Sequence, residues 1–432
     1  MSTRRVAFIA LLAVLSAGSS AGQQNQAPAS LTLAQAEQTA LQNHPQVQEA
    51  RYTALAAKEG VREVRSGYFP AVFGSVTAAE AASGSRIAAG GLNNPIIYDR
   101  FATGVTVGQL VTDFGRTQAL VQSSTLNAQA EDESVESQRA AVLLDVDRAY
   151  FDVLRAQAVQ RVAEATVEAR QLVLDQVSAL AASNLRSGLD VSFARVNVST
   201  AQLLLVQAQN DTQRAFAALT NALGARAAVS YQLAEEPLPQ APPPDSRPLV
   251  SDALRQRPEI LAARLTAEAA MAFADAERDL YRPSLSAVGT AGVTPYHQAG
   301  IDDRYAAAGM NLNLPVLNGG LFAARHAEAT LRARSAAERL RNLENQISRD
   351  VQTAWLNAQT AFQRLDLTSQ LLDQAVQSLD LAQSRYDLGL SSIVELNQAL
   401  LNKTQSELEQ ASAKYDYQVQ NAALGYAVGS RK

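Results

Sequence analysis

Few residues of this chain are arranged to do covalent chemistry. The 432 residues include no cysteine, which excludes disulfides, thiolate metal sites, a cysteine nucleophile and a lipid anchor on an N-terminal cysteine. His44, His297 and His326 share no metal-ligand spacing, so neither a metal nor a cofactor is expected. Asp113-Phe114-Gly115 spells a kinase string, but no glycine-rich loop, catalytic loop or strand lysine accompanies it. No nucleophile–base pair or phosphate loop is visible, and an enzyme is not expected. A net charge of −5, without segregation, argues against nucleic acid as a partner. The residues left with work to do are acids placed just after turns. In Tyr386 to Ala399 (YDLGLSSIVELNQA), Gly389 breaks a helical pattern, Ser391 or Ser392 caps the next helix, and Glu395 lies in its first turn. Asp190 holds the same place after Asn184. Either acid could serve only to complement its helix dipole.

Stepping outward, these turns join very long helices. Arg116 to Ser183 contains no Gly or Pro, and at 1.5 Å per residue it makes a rod of roughly 100 Å. Asn184 to Gly188 interrupts it, and a return helix runs from Leu189 to Leu223. A second uninterrupted run follows Gly320 and reaches Leu388, and its return helix starts at Ile393. Such thin-striped rods cannot form the core of a globule; they belong to a coiled array.

The plan is given twice. His44-Pro45 and Arg257-Pro258 each stop a short helix, 213 residues apart. From the strand ends onward the offset is 205: Gly115 falls on Gly320, Asn184 on Gly389, Asp190 on Glu395, and Gly224 on Gly429. A register held over separated landmarks marks a duplication. Tyr150 and Trp355 are counterparts, and the expectation is that both pack between helices near mid-length. The expected boundaries are a signal peptide at 1–21, a first repeat at 22–224, a proline-rich linker at 225–248 and a second repeat at 249–432. Arg4, Arg5 and the short apolar run Val6 to Ala17 carry the signal-peptide reading, since about 12 apolar residues are too few to span a bilayer.

Between the helices lie strands, expected at about 68–79, 100–112, 283–293 and 304–315. In the second, Phe101, Val105, Val107 and Val111 alternate with Ala102, Gly104, Thr106 and Gly108. Ser284, Ser286, Thr290, Asn311 and Asn313 extend the small or polar face. Strands of this length can cross an outer membrane when tilted, but four cannot close a barrel, and open edges in lipid cost several kcal/mol per unsatisfied group. Oligomerisation is therefore expected; three chains would give twelve strands around a water-filled pore. A periplasmic coiled-coil protein without a pore is the competing reading, against which the alternating strands argue.

The order short helix, helix, strand, strand, long helix, tip, return helix, given twice, resembles the TolC-type outer-membrane efflux proteins. YDLGLSSIVELNQA resembles that family's second periplasmic tip, and NLRSGLDV (Asn184 to Val191) its first. The resemblance implies a mainly α fold with a small β part. Long helical hairpins would form a periplasmic α-barrel, and four strands per chain would contribute to a trimeric 12-stranded outer-membrane β-barrel. It implies a homotrimer set in outer-membrane lipid and extending into the periplasm. A periplasmic adaptor would dock on the tips (Asn184, Leu185, Arg186, Ser187, Gly389, Leu390, Ser391 and Ser392), and an inner-membrane pump would drive export. Glu395 becomes the acidic gate position, Asp190 its counterpart, and Tyr386 the aromatic whose hydrogen bonds hold the closed end. Gln398 replaces a second gate acid and Ser391 replaces an arginine, so a looser latch is implied. The cargo is not implied.

Overall fold

The structure, a computed structural model, describes residues 30–82, 99–225, 231–297, 300 and 302–430. The expected signal peptide lies outside the described residues.

The elements fall in the duplicated order. A two-residue strand β1 (Ser30–Leu31) precedes α1 (Leu33–Asn43), α2 (Pro45–Arg65), β2 (Ala71–Ala79), β3 (Arg100–Thr112), α3 (Arg116–Ala182) and α4 (Gly188–Ala222). The second half repeats this with β4 (Gln232–Leu233), α5 (Arg247–Gln256), α6 (Pro258–Arg278), β5 (Ser284–Tyr296), β6 (Arg304–Asn313), α7 (Leu321–Asp387) and α8 (Ile393–Val428). Both long helices have 67 residues. Among the described residues no helix is long and apolar enough to cross a membrane.

Backbone punctuation explains where the helices start and stop. Gly115 and Gly320 enter α3 and α7 with φ of 116° and 83°, and Gly224 and Gly429 leave α4 and α8 with φ of 71° and 79°. His44 does more than end α1. Its Nδ1 accepts from Gln46 N at 3.3 Å and so caps α2, with Pro45 in the first helical position. Each repeat then closes on itself. A Cβ on Gly224 would lie 2.8 Å from His44 Cα, and one on Gly429 would lie 3.0 Å from Arg257 Cγ. Arg257 is buried, pairs with Glu259 at 2.8 Å and donates to the Ala427 carbonyl at 3.4 Å.

The columns stand side by side. The sheet order is β2-β3-β5-β6, antiparallel throughout. Above it α2 packs on α3, α6 fits between α3 and α7, and lower down α3 lies against α8. The largest apolar cluster gathers at mid-height, where Val142, Val146, Tyr150 and Val153 of α3 meet Val47, Leu219, Leu223 and Tyr415. Burying side chains of this size contributes about 1.5–3 kcal/mol each. Away from this belt the helices bury mostly alanine, which lets long rods approach closely.

Tyr150 packs at mid-height as expected, and both it and Trp355 have a further role. Both hold the connection between the repeats. The Tyr150 hydroxyl is 2.9 Å from the Leu31 carbonyl and 2.7 Å from that of Ala234, and Trp355 Nε1 donates to the Pro243 carbonyl at 2.8 Å. Tyr417 donates to the Gln240 carbonyl, Gln418 to that of Glu236 at 3.0 Å, and Tyr415 to the Glu235 carboxylate at 2.7 Å. The proline-rich connection carries few N–H donors, so its carbonyls are what the helices can grip. β4 also pairs with β1 in parallel, Leu31 opposite Leu233. The linker is thus a strap tied across the hairpins.

Candidate functional site: the two helical tips

Both hairpin ends use the same backbone device. Asn184 and Gly389 adopt φ of 57° and 74°. Leu185 N donates to Leu180 O at 2.9 Å, and Leu390 N to Arg385 O at 2.8 Å. These are paired Schellman closures, 205 residues apart. The leucines themselves point outward: Leu185, Leu189, Leu388, Leu390 and Val394 are all exposed.

The return helices start differently. Ser187 caps α4 in a reciprocal box: its hydroxyl accepts from Asp190 N at 3.2 Å, and its N–H donates to Asp190 Oδ2 at 3.3 Å. Ser392 occupies the equivalent cap position of α8 but makes no side-chain cap bond, and the buried Ser391 hydroxyl oxygen has no partner within the chain. Ser392 is thus the N-cap residue, as expected of one of these serines, but caps without its side chain. Glu395 reaches instead across the hairpin to Arg385, at 3.1 Å.

Tyr386 sits beneath both tips, only 3% exposed, in a cluster with Val177, Ile393, Leu396 and Leu400. Its hydroxyl finds no hydrogen-bond partner within the chain. The contact is of another kind. Arg186, from the first tip, lies 4.1 Å from the ring centroid and donates to the Tyr386 carbonyl at 2.6 Å. Burial pushes the Tyr386 hydroxyl above its ordinary pKa; Arg186 opposes this, and Asp190 and Asp387 add to it.

The structure thus brings Arg186, Tyr386 and Asp190 together, and pairs Glu395 with Arg385. Gln398 stands apart on α8, exposed, donating to Asn402 at 2.9 Å. Three contributors escape sequence reading. Arg385 is the ion-pair partner of Glu395, Arg186 covers an aromatic ring 200 positions away, and Asn197 Nδ2 donates to Asn397 Oδ1 at 2.7 Å between α4 and α8. Only the first had a local signal, since Arg385 lies in the last turn before the tip. Among the described residues no cluster of His, Cys, Asp and Glu could hold a metal ion. What this arrangement offers is a pair of short, rigid, apolar-tipped turns with acids just behind them.

Known proteins share this plan. The chain is 23% identical to the outer membrane protein TolC of Escherichia coli over 411 residues, covering 92% of this chain and 82% of TolC. A membrane protein from Pseudomonas aeruginosa superposes with a TM-score of 0.80 at 22% identity, over 92% of this chain and 93% of that one. The outer-membrane channel OprN gives 0.81 at 20% identity, over 92% and 89%. The outer membrane efflux protein family matches residues 36–225 and 249–430, one stretch in each repeat, and the chain belongs to that family.

Proposed function

We propose that three copies of this outer-membrane protein close into one passive exit duct, fed by an inner-membrane pump through a periplasmic adaptor that docks on the tips. The observation that carries this reading is that the chain has two open sides at every level. β2 and β6 are both edge strands of one sheet, and β6 is exposed along its whole length. In lipid those edges must pair, and joining β6 of one copy to β2 of the next is a head-to-tail contact that closes as a ring. Two copies would give eight strands, whose interior is filled by side chains; three give twelve and leave room for water.

The helices carry the same asymmetry. On α4 the exposed Leu189, Val196 and Leu203 recur every seven residues, with Phe193 and Val206 beside them. On α7 the exposed Leu367 and Leu381, with Leu388 at its C-cap, keep multiples of seven, and Leu371 lies alongside. Each is a heptad seam without a partner inside the chain, as expected of two faces that meet between copies. The exposed leucines at Leu185 and Leu390 then form the apolar crown on which an adaptor would seat. Asp190 and Glu395 would ring the narrow end and favour cations.

Outer-membrane fractionation and heat-modifiable migration test the assembly. The expected result is a membrane-bound trimer that dissociates on boiling and conducts ions in planar bilayers. A soluble periplasmic monomer would refute it.

A further inference from the structure

One cross-strand row of the sheet holds an aromatic side chain lying down. Ser75 pairs with Gly104, Gly104 with Gly292, and Gly292 with Tyr305, so the four residues share a line across all four strands. They lie on the face that also carries Thr106, Thr290, Asn311 and Asn313; Thr106 and Thr290 touch at 3.3 Å between hydroxyls. The opposite face carries Val72, Val76, Val105, Val107, Met310 and Leu312, the side suited to lipid.

Tyr305 does not stand up from β6. A Cβ added to Gly292 would meet Tyr305 Cζ at 2.5 Å and the Thr103 carbonyl, and one added to Gly104, a strand further on, would meet the same Cζ at 3.1 Å together with the hydroxyl, and the Ala291 carbonyl at 2.8 Å. The phenol therefore crosses β5 and reaches β3, seated in a groove that exists only because two successive positions of the row lack a side chain. The other described sheet glycines do not share this: Gly74, Gly108 and Gly309 have nothing within 4 Å of a Cβ, and Gly289 has only a carbonyl at 4.0 Å. Phe73, one row away on the same face, has no such seat and is 66% exposed, whereas Tyr305 is 38% exposed. Tyr305 is the second residue of β6, at the end of the sheet furthest from the long helices.

We infer that Gly104 and Gly292 keep the bore open near the outer mouth by stowing Tyr305 flat, so that bulky cargo passes. This rests on the duct reading, in which that face lines the lumen and three rings share one height. The two glycines are positioning residues. Filling the groove lifts the phenol into the path, and the size limit for cargo falls at a point remote from the tips.

The test uses the full-length protein in planar bilayers, with polyethylene glycols of graded mass added on the barrel side, so that exclusion reports the outer mouth. Gly104→Ala should lower the exclusion limit by about twofold in polymer mass. Adding Tyr305→Ala to it should restore the parent limit. Tyr305→Ala alone should leave the limit within one polymer size of the parent, because the ring is already stowed. That variant decides alone if Gly104→Ala does not assemble; a large rise in its limit would mean that the ring stands in the lumen, and the inference fails. It fails equally if Gly104→Ala assembles and leaves the limit unchanged. Native protein that opens no channel refutes the duct itself, while conducting channels whose limit an assembled Gly104→Ala leaves unchanged refute only the stowing of Tyr305.

Discussion

Arg186 covers the ring of Tyr386 at 4.1 Å and binds that residue's carbonyl at 2.6 Å, so one side chain from the first hairpin pins the end of the second. A cation over an aromatic face contributes about 0.5–2 kcal/mol, and a charged hydrogen bond about 1.5–3. Arg186→Ala should loosen the tip by about 1–3 kcal/mol and raise the resting conductance in bilayers. Arg186→Lys keeps the charge but loses the planar fork, and should recover only part of the closure. Unchanged conductance in both variants would show that the contact does not restrain the tip.

The left-handed residues make a second prediction. A side chain with a branched β-carbon at φ near +60° costs about 1–2 kcal/mol. Gly389→Val should abolish export while the heat-modifiable trimer persists, because its Cβ position is open and only the turn is strained. Asn184→Val should act in the same direction, and Asn184→Gly should be harmless. Export assays beside gel migration separate tip damage from failed assembly.

Glu395 and Arg385 form an ion pair about half exposed, at 46% and 56%. Such pairs contribute about 0.2–1 kcal/mol. Glu395→Ala should therefore leave the melting temperature almost unchanged. It should nevertheless raise resting conductance and reduce cation preference, read as a shift of the reversal potential in a salt gradient. A large fall in melting temperature would assign the residue to structure instead.

The strap predicts a pH dependence. Burial raises the Tyr150 hydroxyl to about 12, with Glu236 adding to it and a backbone hydrogen bond at Ala234 opposing; burial likewise raises Tyr415 to about 12, with Glu235 adding. A tyrosine held neutral in the fold contributes stability that is intact below its ordinary pKa of 10.0 and is lost as pH rises to about 12. Phenolate absorbance should show Tyr150 and Tyr415 among the tyrosines that titrate late, and the melting temperature should fall across that window. In Tyr150→Phe the carbonyls of Leu31 and Ala234 lose this donor, at a cost of about 1–3 kcal/mol.

Glycine and proline made the repeat legible. Gly115, Gly224, Gly320, Gly389 and Gly429 fall at breaks because few other residues tolerate those angles, and His44-Pro45 and Arg257-Pro258 stop helices for reasons local to the backbone. Period-two alternation likewise placed β3 to within a residue. What escaped depends on how distant segments meet. Nothing in the neighbourhood of Tyr150 or Trp355 says that each will reach a carbonyl of the strap. Nothing near Arg186 points to Tyr386, because only the side-by-side placing of the hairpins brings them together. Ser392 looks like a cap, yet Glu395 is drawn to Arg385 and the reciprocal box that forms at Ser187 does not form there.

The closure of each repeat on itself, His44 against Gly224 and Arg257 against Gly429, has a consequence for ancestry. Each half carries the full order of elements, so six half-length chains could tile the proposed ring. Fusing two of them in one gene fixes their alternation around the axis and frees each from serving in both places. The tips have used that freedom: one carries Arg186 and a capped Asp190, the other Tyr386 and a Glu395 turned to Arg385. The result is a lock of unlike parts formed within a single chain.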